Sequence, residues 1–315
     1  MDFQLEILKF FQSMRTPILN SIFLTFTKSA ELPMLMLFIA IMYWCINKKQ
    51  GQRIIFALIG NSMINTGIKE FVKAPRPIGK EGLKSLRVYT ATGYSFPSGH
   101  TQSATAFWVS LMRIFKSAWI YLLGSIMIIG VAVSRLYLAV HWPIDVICGF
   151  IFGVVFTIIL DEIFKYVDKT KNYKLLLIVW MLFLVFGVLL ESRFYIKVLG
   201  VITGFVLGYI VEDKFIRFST INDKKRGKIN FSLTNNRNKK FSKPTVFALR
   251  LLVGMITLGF VYIAIKYLGS LTLMYFALEN DVILSTVINY FRYFLVVFYA
   301  VAGVPALFKI LKLEF

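Results

Sequence analysis

The sequence predicts an all-α polytopic membrane protein, a bundle of about nine transmembrane helices preceded by an interfacial helix. Three observations lead there. Of the 315 residues 57% are hydrophobic and only 17% charged, where soluble domains carry about a quarter. Mean hydropathy is +0.70. The apolar residues also lie in long runs almost free of charge, at 32–46, 118–136, 143–160, 175–190 and 246–265. Runs near ~20 residues match a ~30 Å hydrocarbon core as helices, whereas a soluble core helix is shorter and alternates its faces. The balance of 36 Lys and Arg against 16 Asp and Glu, a net +20, would suit nucleic acid. The cations sit between the apolar runs, however, which points to topology signals and anionic lipid headgroups.

Residues 3–28 mix Phe, Leu and Ile with Glu6, Lys9, Gln12, Arg15 and Lys28, and Pro17 interrupts them. Segment 1–30 therefore reads as an amphipathic helix lying in the interface. No basic region runs into an apolar stretch there, so no cleavable signal peptide is expected. The first span is 32–46, followed by a turn with Lys48, Lys49, Gly51 and Arg53. The second, 54–72, carries Asn61, Asn65, Lys69 and Glu70. Segment 74–98, with Pro75, Pro77, Gly79 and Gly82, is a loop. Span three, 101–115, follows Pro97 and Ser98, residues suited to a helix start. Span four is 118–136, and span five opens on Pro143, which fits a first helical turn, and runs to about residue 166. Spans six and seven are 175–190 and 198–211. The long hydrophilic stretch 212–244, rich in Lys, Arg and Asn, is a solvated basic loop, partly disordered. Span eight is 246–268, and a ninth lies within 282–311. The chain thus divides into the interfacial helix 1–30, a membrane core 31–172, and additional membrane helices 173–315. No internal repeat supports an inverted-repeat transporter. Cys45 and Cys148 lie in apolar runs and act as small hydrophobes, with no disulfide framework or thiolate metal site.

The chemistry lies in three polar stretches. The chain has two histidines. His100 ends Pro97-Ser98-Gly99-His100, and His141 stands six residues after Arg135 and four before Asp145. Lys69 and Arg76-Pro77 precede both. Ionisable groups at membrane depth are costly and default to functional roles. The 74–98 loop joins the end of span two to the start of span three, and span four returns to the same face before span five. Two histidines, two arginines and a lysine therefore converge. That set fits phosphoryl transfer, in which catalysis is mainly positioning and charge stabilisation. Arg76 and Arg135 offer planar forks and Lys69 a point charge. The N–H groups after Pro97 form a helix N-terminus suited to an anion, and the Ser98 hydroxyl adds a donor. One imidazole can attack phosphorus while the other protonates the leaving oxygen. Asp145, one helical turn after His141, can accept one imidazole N–H and leave the other nitrogen free. Two His and one Asp could also form a metal site, but Lys69, Arg76 and Arg135 would repel a cation, so no metal or cofactor is expected. Glu70 and Asp161 read as ordinary span-end charges.

These stretches resemble the signature of the type-2 phosphatidic-acid phosphatase superfamily: Lys, six residues, Arg-Pro; Pro-Ser-Gly-His; and Ser-Arg, five residues, His, three residues, Asp. Every position is matched, within residues 55–165. The resemblance implies that Lys69, Arg76 and Arg135 bind phosphate, with Ser98 and Gly99 helping to hold it. It implies that His100 is the general acid, His141 the nucleophile and Asp145 the residue orienting it, without metal. The expected function is hydrolysis of a lipid phosphate or pyrophosphate through a phosphohistidine, with membrane lipids as surroundings and no nucleic-acid partner. The alternatives are a phosphotransferase or sugar-phosphate phosphatase using the same site, and a non-enzymatic transporter or scaffold.

Orientation follows from charge. With nine spans, one face receives 21 Lys and Arg, counting the 48–53 turn, the 113–116 and 165–174 links, the 212–244 loop and the last residues. The other face receives ten, among them Lys69, Arg76 and Arg135. The positive-inside rule puts the richer face in the cytoplasm and the site, with the N-terminus, outside. Abundant Lys, Asn, Ile and Phe suggest a bacterial cell membrane.

Overall fold

The structure is a computed structural model that describes residues 2–190, 192–221, 242–275 and 281–313. Among these, the regular structure is helical throughout. The helices are α1 (Asp2–Ser13), α2 (Pro17–Ser29), α3 (Leu32–Ala40), α4 (Lys48–Val72), α5 (Gly99–Phe115), α6 (Ala118–Tyr137), α7 (Pro143–Thr170), α8 (Tyr173–Leu190), α9 (Arg193–Val211), α10 (Lys243–Tyr275), α11 (Val282–Phe298) and α12 (Val304–Ile310). Wider turns of π type extend α3 over Ile41–Ile46 and α9 over Glu212–Ile216. Most of the 212–244 loop, residues 222–241, lies outside the described residues.

Among the described residues six helical segments are long and apolar enough to cross a membrane: α6, α7, α8, α9 with its extension, α10, and Val282–Ile310. A seventh arises if Pro17–Ser29 and Leu32–Ile46, bent by 51°, form one broken span. The protein is thus a multi-pass membrane protein. The expected single interfacial helix is instead two, because Pro17 cannot continue α1 and Thr16 caps a new start, its Oγ1 accepting the Leu19 N–H at 3.3 Å.

The chain forms two compact units. The first holds residues 1–37, 53–170 and 186–195. In it α5 packs on α7 and α6, and small residues set the spacing. A methyl group at Gly149 of α7 would lie 2.8 Å from the Ser98 carbonyl oxygen, and one at Gly153 would lie 2.6 Å from Thr105. Glycines one turn apart let two backbones approach, the pattern that favours helix pairs in membranes. Buried amides tie α4 to both partners. Asn65 donates to Gln102 Oε1 at 2.8 Å, Gln102 donates to Asn61 Oδ1 at 3.1 Å, and Asn61 donates to Thr157 at 3.1 Å. Gly130 of α6 leaves room for the Phe26 ring of α2.

At the end of α7 remote from Pro143, Asp161 is buried and takes Arg53 at 2.7 and 3.0 Å, Arg113 at 2.8 Å and Lys165 at 3.0 Å. It is a hub for three cations, and reading it as an ordinary span-end charge missed this. At the opposite end, α1 lies on the loop between α4 and α5. Leu8 is fully buried against Leu83, Ala139 and Trp142. Gln12 exchanges hydrogen bonds with Gly82 and Lys84, and Arg15 donates to Lys84 O and, at 2.7 Å, to Tyr137 O.

The second unit holds residues 38–52, 171–185 and 196–315. Gly200, Gly204 and Gly208, spaced one turn apart on α9, face Tyr290, Phe294, Phe298 and Val301. Buried Arg250 of α10 donates to the carbonyls of Trp44, Ser219 and Leu313 and lies over the Phe218 and Phe308 rings. Glu212 is buried with Lys48 at 2.9 Å and Gln52 at 3.2 Å.

Candidate active site

The first unit gathers the eight residues singled out in the sequence at one end of its helices. Lys69 comes from the last turn of α4, and Arg76 from the loop that follows. Ser98, Gly99 and His100 stand at the start of α5, Arg135 in the last turn of α6, His141 in the α6–α7 link, and Asp145 in the first turn of α7. Ser98 caps α5: its Oγ is 3.5 Å from the Thr101 N–H and 3.0 Å from the Thr101 hydroxyl. Its own N–H donates to the Asp145 carbonyl at 2.9 Å, which joins the starts of α5 and α7.

His141 is 2% exposed. Its Nε2 lies 3.0 Å from Arg76 Nη1, and its Nδ1 lies 3.3 Å from Asp145 Oδ2. A guanidinium can only donate. Nε2 is therefore the acceptor, and the ring proton resides on Nδ1, facing the carboxylate. Asp145 Oδ2 is itself fixed by the Trp142 N–H at 2.8 Å and by the Ser95 hydroxyl. Burial first, then the charges of Arg76, Arg135 and Lys69, hold the His141 pKa well below the ordinary 6.5. The ring is neutral near pH 7, with its lone pair on Nε2.

Two of the cations, Lys69 and Arg76, are held by backbone carbonyls. Lys69 Nζ donates to Tyr94 O at 2.6 Å and Ser95 O at 3.1 Å. Arg76 donates to Thr92 O and Val140 O at 2.8 Å and Gly93 O at 3.0 Å. Arg135 is fully buried, and one nitrogen donates to Thr27 Oγ1 at 2.5 Å. Its Nε and Nη2 find no hydrogen-bond partner among the described residues. Unsatisfied charged donors are costly in a buried place, and two N–H groups at a guanidinium edge match two oxygens of a phosphate. His100 makes no direct bond to the other seven. Among the described residues no three His, Cys, Asp or Glu side chains converge as metal ligands.

Two contributors are absent from the sequence reading. Ser95 stands beside the Pro97–His100 stretch, and its proximity was the available signal. Thr27 had none, since it lies in the segment read as interfacial.

Residues 51–168 match the domain described as the PAP2 superfamily, and residues 196–314 match its transmembrane extension, described as a PAP2 superfamily phosphatase extension. The chain belongs to the PAP2 superfamily. All eight site residues fall within the PAP2 domain, whereas Thr27 precedes it. The PAP2 chain is similar to sphingosine-1-phosphate phosphatase 1 of Mus musculus, 27% identical over 145 residues, 44% of this chain and 34% of the relative. It is 42% identical to an undecaprenyl-diphosphatase of Sulfolobus acidocaldarius over 62 residues, 20% of this chain and 30% of that one. It is 26% identical to phosphatidylglycerophosphatase B of Bacillus subtilis over 153 residues, 44% of this chain and 72% of that one. The chain spans about a third of the length of the sphingosine-1-phosphate phosphatases that it matches. Among solved structures, Aquifex aeolicus LpxE aligns with TM-score 0.45 at 24% identity, covering 50% of this chain and 94% of that one. A Bacillus subtilis PAP2-type phosphatidylglycerolphosphate phosphatase aligns with TM-score 0.44 at 22% identity, covering 54% and 86%.

Proposed function

We propose that the chain is a membrane phosphatase that hydrolyses a lipid phosphate monoester or pyrophosphate through a phosphohistidine, without a metal. The observation that carries this is the His141 ring, neutral, oriented by Asp145 and presenting Nε2 to the Arg76 guanidinium. The relatives' names, all phosphatases of lipid substrates, support it.

In this reading the substrate phosphoryl group takes the Arg76 and Arg135 donors, the Lys69 ammonium and the N–H groups at the start of α5, with Ser98 and Gly99 shaping that turn. Arg76 exchanges Nε2 for a phosphate oxygen, which frees the lone pair. Nε2 then attacks phosphorus, an N–P bond forms and the P–O bond to the leaving group breaks. His100 supplies the proton to the leaving oxygen. Asp145 stabilises the positive charge that develops on the ring. In the second half, water attacks phosphorus, His100 takes its proton, and the N–P bond breaks to release inorganic phosphate and neutral His141. The cations stand where a metal would otherwise stabilise charge.

Nine spans, with α4 and α5 as inner helices, fit this reading. Both carry the polar residues of the buried amide ladder, which lowers their hydropathy, and the neighbouring helices shield them from lipid. The segments 1–30, 31–172 and 173–315 then act as cover, catalytic core and added helices. Charge asymmetry puts the site on the outer face of the cell membrane.

The test is phosphate release by purified protein from phosphatidic acid, phosphatidylglycerol phosphate, undecaprenyl pyrophosphate, sphingosine phosphate and glucose 6-phosphate. Turnover is expected on lipids, insensitive to EDTA and blocked by vanadate. His141→Ala should abolish both turnover and the acid-labile phosphoenzyme trapped from labelled substrate. A phosphoenzyme persisting in that variant, or EDTA inactivation rescued by a divalent ion, would overturn the mechanism.

A further inference from the structure

Outside the three motifs, the loop between α4 and α5 brings a fourth cation to the site. Arg87 stands in the left-handed region, at φ 53° and ψ 39°, where a side chain is strained. Its neighbours hold it there: the Leu86 N–H donates to Leu138 O at 2.9 Å, and the Ser85 hydroxyl donates to Ala139 O at 2.7 Å. Both acceptors lie just past Arg135.

The same corner of the fold holds both arginines. Thr27, near the end of α2, takes Arg135. Glu31, one turn further along the α2–α3 bend, meets Arg87 Nη2 at 3.0 Å. That ion pair lacks hydrogen-bond geometry. Glu31 Oε1 and Arg87 Nη1 are buried without a hydrogen-bond partner among the described residues, as are Arg135 Nε and Nη2. Arg87 is near enough for its charge to act on both His100 and Arg135. Two arginines held at one corner of the fold therefore each present unused donors, and Glu31 is an imperfect partner for one of them.

We infer that Arg87, tied to Glu31 at rest, forms with the free edge of Arg135 a second anion subsite that takes the proximal, lipid-borne phosphate of a lipid diphosphate, the group that leaves when the terminal phosphate is attacked. The inference rests on the proposed phosphatase reading. Lys69, Arg76 and Arg135 already supply a cation for each equatorial oxygen of the phosphate that is attacked. A further guanidinium exceeds what a monoester requires. A carboxylate beside an incoming dianion is repulsive, so Glu31 gives way, and Arg87 exchanges a poorly aligned carboxylate for phosphate oxygens that match its fork.

The experiment compares kcat/KM for a C15 isoprenyl diphosphate and the matching monophosphate in wild type, Arg87→Gln, Arg87→Lys and Glu31→Gln. In Arg87→Gln the diphosphate-to-monophosphate ratio should fall about tenfold, the scale of one charge-assisted hydrogen bond, through KM more than kcat. Arg87→Lys should restore part of it. Glu31→Gln should raise the ratio by about threefold, since Arg87 is released from its resting partner, and a gain of that kind cannot come from misfolding. A ratio unchanged in Arg87→Gln, or one lowered in Glu31→Gln, overturns the subsite. Wild type that hydrolyses the monophosphate but not the diphosphate overturns it as well. Wild type inactive on every lipid phosphate overturns the phosphatase reading instead.

Discussion

The proposed attack of His141 on phosphorus requires that Nε2 keep its lone pair, and two neighbours enforce that state from opposite sides of the ring. Asp145 draws the proton to Nδ1, and Arg76 offers Nε2 nothing but donors. Burial and the surrounding cations lower the ring's pKa further. Because the chain has two histidines, a sample labelled with 13C at histidine gives two ring signals, and His100→Gln assigns them. The His141 signal should stay neutral as pH falls through 6.5, and a midpoint at or above 6.5 would contradict the geometry. The sign carries over to stability. The unfolded ring takes a proton below about 6.5 and the folded one does not, so this group makes the fold less stable as pH drops from there until the folded ring itself titrates. At this scale the eight residues that the fold brings together were legible, because phosphoryl chemistry calls for particular side chains at particular spacings. Ser95 and Thr27 were not, because each works by touching a motif residue through the fold, and a lone Ser or Thr in a helix or loop has many ordinary uses.

Two helix starts, those of α5 and α7, hold Ser98, Gly99, His100 and Asp145, and their closeness depends on having no side chain at Gly149. The start of α5 bonds to the start of α7 through Ser98 N–H and Asp145 O at 2.9 Å. A Cβ at Gly149 would meet the Ser98 carbonyl at 2.8 Å, a contact with rigid backbone rather than a flexible tip. Gly149→Ala should therefore push Ser98 and His100 away from His141. Displacements near 1 Å can cost about a hundredfold in rate, so kcat should fall by roughly that factor while the helix content by circular dichroism stays unchanged. Activity within twofold of wild type would show that the helices can separate without harm. Helix positions were readable from the apolar runs, which is why a helix stands at each predicted span, although among the described residues only six segments are long and apolar enough to cross a membrane. The break at Thr16–Pro17 was visible too, yet its consequence was not. The α1 helix is held on the loop by Leu8, Gln12 and Arg15, contacts that an amphipathic pattern cannot distinguish from contact with lipid.

In the proposed nine-span topology, the cations are unevenly shared between the two faces of the membrane. Helix α7 runs from Pro143 to Thr170, about 42 Å at 1.5 Å per residue, so its two ends report on opposite sides of a bilayer. In a Cys45/Cys148-free background, a cysteine at Lys84 should react with an impermeant maleimide added to intact cells, and one at Lys169 should not. The reverse pattern would move the substrate to the inner leaflet. Counting spans from hydropathy is hard where helices such as α4 and α5 carry buried polar residues and so resemble soluble helices. One consequence comes from the Asp161 hub. Asp145 and Asp161 lie on the same helix, about 24 Å apart by the same rise; Asp161 is tied to three cations and Asp145 to the polar group of His141, Ser95 and Trp142, and neither set enters hydrocarbon readily. The helix behaves as a ruler with a polar stop at both ends, shorter than a typical ~30 Å core. A thick bilayer must thin around it or pull at the stops. In vesicles of phosphatidylcholine with a fixed substrate fraction, turnover should be highest for short acyl chains and decline as the chains lengthen. Replacing Asp161 with Asn loosens the lower stop and should flatten that dependence.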